Sequence, residues 1–120
     1  MTKQEYYDLL ISSAYDGTFP SVSRHSNSTI SCRYRGEKPG SKCAGGLLIP
    51  DEEYSIGFEG RSIEQVDVAR VVKVPDGMTI LDIRDCQKVH DVSTISTKWD
   101  PQSFISKINN LNCFSDVKKV

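Results

Sequence analysis

The sequence predicts an α+β fold in which helix dominates, three or four helices packed on a small antiparallel hairpin or sheet. Three observations lead there. Thr2-Lys3-Gln4-Glu5 and Asp100-Pro101 are helix-start signatures, and each precedes apolar residues at three- and four-residue steps. Ile30 to Tyr34 alternates apolar and polar residues with the period of a half-buried strand. Gly and Pro are scattered as punctuation, with no repeat or low-complexity tract between them. The 120 residues therefore read as one globular domain, 1–120, with one core.

Taken in order, Thr2 and Glu5 have the spacing of a capping box. The Thr2 hydroxyl can accept the Glu5 N–H while the Glu5 carboxylate reaches back. Tyr7, Leu10, Ile11 and Ala14 then share a face, so a helix is predicted over 3–15. Thr18 to Ser28, rich in Ser, Pro, Asn and Arg without a period, reads as a loop. Ile30, Cys32 and Tyr34 form a strand with Arg33 on its wet face, and Arg35 to Ser41 turn on Gly36, Pro39 and Gly40. Cys43 to Ile49 is too short to separate a second strand, completing a hairpin, from a buried helical turn. Pro50-Asp51-Glu52-Glu53 places Pro at a helix start and carboxylates in its first turn, predicting a short helical turn. Ser62-Ile63-Glu64-Gln65 repeats the capping-box spacing and opens a helix from Ile63 to about Val72. The β-branched Val66, Val68, Val71, Val72 and Val74 suit a strand equally well toward its end. Pro75-Asp76-Gly77 is a turn, and Thr79 to Asp91 is helical on Ile80, Ile83, Cys86, Val89 and His90. Asp100-Pro101 begins the last helix, which carries Phe104, Ile105, Ile108 and Leu111 and ends by Asn112.

Fifteen Lys+Arg against sixteen Asp+Glu leave a formal net charge of -1. No whole-surface field draws the chain to nucleic acid or anionic lipid, so neither is expected as a partner. The longest apolar run, Gly45 to Pro50, is far short of the roughly 20 residues that span a bilayer. Met1-Thr2-Lys3-Gln4 lacks the basic and apolar regions of a secretory signal, so the expected location is the cytoplasm, with thiols reduced. No motif implies a cofactor.

Four cysteines and His90 allow three arrangements. Cys86 and His90 share a helix face, and Cys32 and Cys43 flank a Gly-rich turn, so these four side chains could close a tetrahedral zinc site. The tight Cys-x-x-Cys knuckles of zinc ribbons are absent, and buried free thiols without metal are the reading favoured. Cys43 beside Lys42, with His90 and Asp91 downstream, has the nucleophile, base and acid order of some cysteine hydrolases. Asp91 is its weak member, because neighbouring helical residues point about 100° apart. A Cys32–Cys43 disulfide would span a hairpin, but the compartment opposes it. Arg33, Arg35, Lys38 and Lys42 gather positive charge around the turn, where arginine forks could hold the phosphates of a nucleotide. Glu37 dilutes that charge, and Asp51, Glu52 and Glu53 can pair with it. Tyr34, between the arginines, reads as core. Trp99 either staples onto the helix that follows it or anchors a protein interface.

Cys32-Arg33-Tyr34-Arg35-Gly36, then Lys42-Cys43-Ala44-Gly45-Gly46-Leu47-Leu48-Ile49-Pro50-Asp51-Glu52-Glu53-Tyr54, then Glu59-Gly60-Arg61-Ser62, resembles a family of small proteins encoded by tailed phages and prophages. Gln87-Lys88-Val89-His90-Asp91, Trp99 and the Phe104 to Leu111 stretch resemble its carboxy-terminal half, so the likeness covers most of the chain after Thr29. Cys86 stands where the family tends to carry an aliphatic residue, and Gly45 where it carries a larger apolar one. The resemblance implies expression in a bacterial cytoplasm during infection.

The leading expectation is therefore a non-catalytic phage accessory protein that inhibits a bacterial defence complex or host protein by direct binding. Arg33, Tyr34, Arg35, Lys42, Asp51, Glu52, Glu53 and Trp99 are its candidate contacts. A cysteine hydrolase using Cys43 and His90 with Asp91, and a nucleotide-sequestering binder using Arg33, Arg35 and Lys42, are the alternatives. The oligomeric state stays open.

Overall fold

The computed structural model describes residues 1–27, 29–95 and 98–120. Among these residues the elements are four α-helices, one two-stranded antiparallel hairpin and four short 3-10 turns. The fold is the helix-dominated α+β arrangement that the sequence predicts.

Helix α1, Lys3–Tyr15, starts on the expected capping box: the Glu5 N–H donates to the Thr2 hydroxyl at 3.1 Å and the Thr2 N–H to the Glu5 carboxylate at 2.8 Å. It buries Tyr6, Tyr7, Leu10 and Ala14 completely or nearly so. Strand β1, Val22–Arg24, pairs antiparallel with β2, Ile30–Cys32, with Val22 opposite Cys32. Two expectations change here. The stretch read as loop contains a strand, because three residues with one apolar member are too few to show alternation. The partner of β2 is therefore not Cys43 to Ile49, which winds into a 3-10 turn at Gly46–Leu48. Ser28, the last residue of the expected loop, lies outside the described residues.

Asp51–Glu53 forms the expected helical turn, as 3-10 helix, and Ile56–Phe58 forms another. Helix α2 is only Val66–Ala69, shorter than expected. The Ser62 hydroxyl accepts the Glu64 N–H at 3.3 Å, and the Gln65 side chain is drawn to Arg61 Nε at 2.6 Å, so no capping box closes. Helix α3, Ile80–Ile95, and helix α4, Pro101–Asn109, run close to expectation. Asp100 caps α4 by accepting the Gln102 N–H at 3.1 Å. The Trp99 ring lies 5.3 Å from that of Phe104, which is a hydrophobic staple. Trp99 Nε1 also donates to the Ala14 carbonyl at 3.3 Å.

Helix α3 packs against α4 and β2, and α1 against α4. Among the described residues the core holds three aromatic groups: Tyr6, Tyr7 and Phe114; Phe19, His90, Trp99 and Phe104; and Tyr54 with Phe58. Each fully buried Phe or Leu contributes about 1.5–3 kcal/mol. No helix is long and apolar enough to cross a membrane among the described residues.

Candidate functional site

The residues after β2 are held by two charged side chains turned inward. Glu59, 13% exposed, accepts the Tyr34 N–H at 2.9 Å, the Arg35 N–H at 3.1 Å and the Tyr54 hydroxyl at 2.6 Å. Arg35 donates to the carbonyls of Tyr34, Gly46 and Ile49 and to the Asp51 carboxylate at 3.0 Å, with its guanidinium 4.9 Å over the Tyr54 ring. These carbonyls flank the Gly46–Leu48 turn, and a donor fork matches them as no single ammonium would. Lys42 joins Asp51 at 3.3 Å. The two cations hold the Asp51 carboxyl below its ordinary range, Lys42 contributing most. Tyr34 is buried, as expected, and its hydroxyl donates to the Arg61 carbonyl at 2.6 Å. Arg35 and Lys42 converge on the Asp51 carboxylate, as the charge pattern of the sequence allows.

Gly46 is glycine for a steric reason: a Cβ there would lie 2.5 Å from the Tyr34 carbonyl oxygen. At Gly45 a Cβ would meet Ile63 Cδ1 at 2.3 Å, so Ile63 fills the room that a larger residue at 45 would take. The Gly45 N–H donates to the Gln87 side chain at 2.8 Å.

Beside this brace opens a recess of about 440 Å³. Arg33, Arg61, Arg84 and Lys88 line it, together with Glu59, Glu64, Asp91, Cys32, Cys43 and Tyr34. Arg84, Gln87, Lys88 and Asp91 recur at three- and four-residue steps along α3, a polar stripe visible in the sequence but not singled out there. Arg61 was likewise missed, because it comes from a distant segment and shows no local pattern.

His90 is fully buried, and both ring nitrogens are engaged. The Ser21 N–H donates to Nε2 at 3.0 Å, and Nδ1 lies 3.0 Å from Asp91 Oδ1. A backbone N–H on Nε2 requires a lone pair there, which fixes the tautomer with hydrogen on Nδ1, donating to Asp91. Asp91 also accepts from Gln87 at 2.8 Å. Contrary to the expectation from helical angles, Asp91 does orient His90. Its short side chain bends back to the Nδ1 edge of the adjacent ring.

Neither ring nitrogen is left for Cys43, so the structure does not bring His90 to it as the base that the alternative hydrolase reading needs. Burial raises the Cys43 thiol well above its ordinary range, and Asp91 and Glu59 add to the shift, while the Gly46 N–H on Sγ opposes it. Burial pushes the Cys32 thiol up to about 12, and its sulfur lies 3.0 Å from the Thr94 hydroxyl. All four cysteines are free, so no Cys32–Cys43 bridge forms.

The zinc quartet of Cys32, Cys43, Cys86 and His90 is not brought together. The potential ligands that converge, within 4.8 Å of one another, are Cys32, His90 and Asp91 among the described residues. They do not fit a cation, because the His90 nitrogen facing Asp91 carries a proton and the other faces a backbone donor. The Cys86 thiol holds that of Cys113 below its ordinary range and is itself raised. Glu52 and Glu53 are exposed on the ridge beside Asp51, and Glu53 meets Lys73 at 3.4 Å.

Comparison of the chain with protein-family models, with curated proteins and with solved structures finds no match.

Proposed function

We propose that the chain is a non-catalytic accessory protein of phage or prophage origin, acting in the bacterial cytoplasm by binding a host or defence protein. The observation that carries this reading is the ridge from Asp51 to Gly57. Two 3-10 turns shape it, and it presents the Glu52 carboxylate together with Ile56, which is 70% exposed. A large apolar side chain on a fixed turn beside acids suits a partner with an apolar pocket and a basic rim. The commitment of His90 and Cys43 to the scaffold supports binding over turnover.

The test is capture from bacterial lysate by the immobilised chain, wild type against Ile56→Asp and Glu52→Lys. One host protein is expected to be retained by the wild type and lost with Ile56→Asp at an unchanged thermal midpoint. Equal retention by both variants, or no specific protein retained, overturns the reading.

A further inference from the structure

We propose that the recess between α3 and the residues following β2 is a binding site for a small phosphorylated molecule about the size of a mononucleotide. The argument is a surplus of donors. Arg33 Nε is buried without a hydrogen-bond partner, and its ion pair to Glu59 is long, at 3.7 Å. Glu59 is already taken by two backbone N–H groups and the Tyr54 hydroxyl. Arg84 Nε is likewise buried and unpartnered. Its terminal nitrogens lie 3.4 Å from Glu64 and 3.4 Å from Asp85, longer than the roughly 2.8 Å of a tight charge-assisted bond. Lys88 forms no ion pair among the described residues. Asp91, the acceptor nearest the floor, is occupied by His90 and Gln87.

The two Nε atoms are closed off from solvent, so the donors open to a ligand are the loosely paired terminal nitrogens of Arg84 and the Lys88 ammonium, which together suit a ligand rich in acceptor oxygens. Phosphate supplies several such oxygens to guanidinium forks and an ammonium. A volume of about 440 Å³ exceeds what a lone phosphate fills and falls in the range of small-molecule sites. Arg61 is committed to Asp67 at 2.8 Å and to Gln65 at 2.6 Å, so it serves as wall. Of the Arg33, Arg35 and Lys42 cluster of the sequence this site keeps only Arg33, and it does not rest on the protein-partner reading.

Titration calorimetry of the full chain tests it with adenosine 5′-monophosphate, ribose 5-phosphate, adenosine and inorganic phosphate. The monophosphate is expected to bind measurably, adenosine not at all, and affinity to fall as salt rises. Ribose 5-phosphate binding as tightly as the nucleotide would identify a sugar phosphate as the ligand, and weaker binding a nucleotide. Arg84→Gln and Lys88→Gln are each expected to weaken binding about tenfold, and Lys107→Gln, outside the recess, to leave it unchanged. Binding of no probe, adenosine equal to its monophosphate, or wild-type affinity in both recess variants overturns the proposal. Should Arg84→Gln fail to fold, Lys88→Gln alone decides.

Discussion

The thiols of this chain differ in reactivity for reasons local to each sulfur. Cys43 and Cys86 are fully buried and held protonated, whereas Cys113 is half-buried and favoured as thiolate by the Cys86 thiol. Iodoacetamide applied to the native chain at about pH 8 is expected to label Cys113 first and Cys43 and Cys86 last, read by peptide mass spectrometry. Early labelling of Cys43 would restore it as a nucleophile. Gly45 supplies a second test, because the atom blocking a side chain there is the flexible end of Ile63. Gly45→Ala is expected to cost about 1–2 kcal/mol, and adding Ile63→Val, which removes Cδ1, to recover most of it. A coupling near 1 kcal/mol in urea denaturation would bear this out, and simple additivity would refute it. Arg35 and Lys42 pair with Asp51, one of the acids the sequence offers them, while the carbonyls of Gly46 and Ile49 that Arg35 also serves are brought near only by the fold.

Elements with their own punctuation were legible. Helices α1 and α4 each carry a cap whose side-chain hydrogen bond forms as the residues suggest. Strand β1 and the shortened α2 were not legible, and the causes differ. Val22–Arg24 is defined by its partner across the ladder, not by its composition. Ser62 and Gln65 have the right spacing, but their side chains have nearer partners in Glu64 and Arg61. The staple ahead of α4 gives the element-scale test. Trp99→Ala removes ring contacts to Phe19, His90 and Phe104 and the bond to the Ala14 carbonyl, and is expected to cost about 3 kcal/mol in chemical denaturation. Trp99→Phe, which keeps the ring contacts and loses only that bond, is expected to cost about 1 kcal/mol. A loss below about 1 kcal/mol for Trp99→Ala would show that α4 docks without the staple.

For the molecule as a whole, the carboxylates set the acid limit. Glu5, Asp16, Glu37, Asp51 and Asp116 all titrate below their ordinary values in the folded chain, each through a hydrogen bond that favours the charged form. A folded pKa below the unfolded one adds stability that is complete above the unfolded value and is lost as pH falls through the folded one. The thermal midpoint is therefore expected to stay level from about pH 7 to 5 and to fall below about pH 4. Asp51→Asn should make that fall shallower, and an unchanged midpoint down to about pH 2 in calorimetry would refute the account. The recess also belongs to this scale. Arg33, Arg61, Arg84 and Lys88 come from three separate segments, so only Arg33 stood out in the sequence. Among the contacts between this recess and the hairpin, one runs through His90. The Ser21 amide ends on the ring of His90, whose other edge holds Asp91 on the recess wall. A ligand that moves Asp91 must retune an N–H···N contact at the foot of β1. Occupancy can thus be followed by nuclear magnetic resonance on a backbone amide outside the recess lining, with the imidazole as relay.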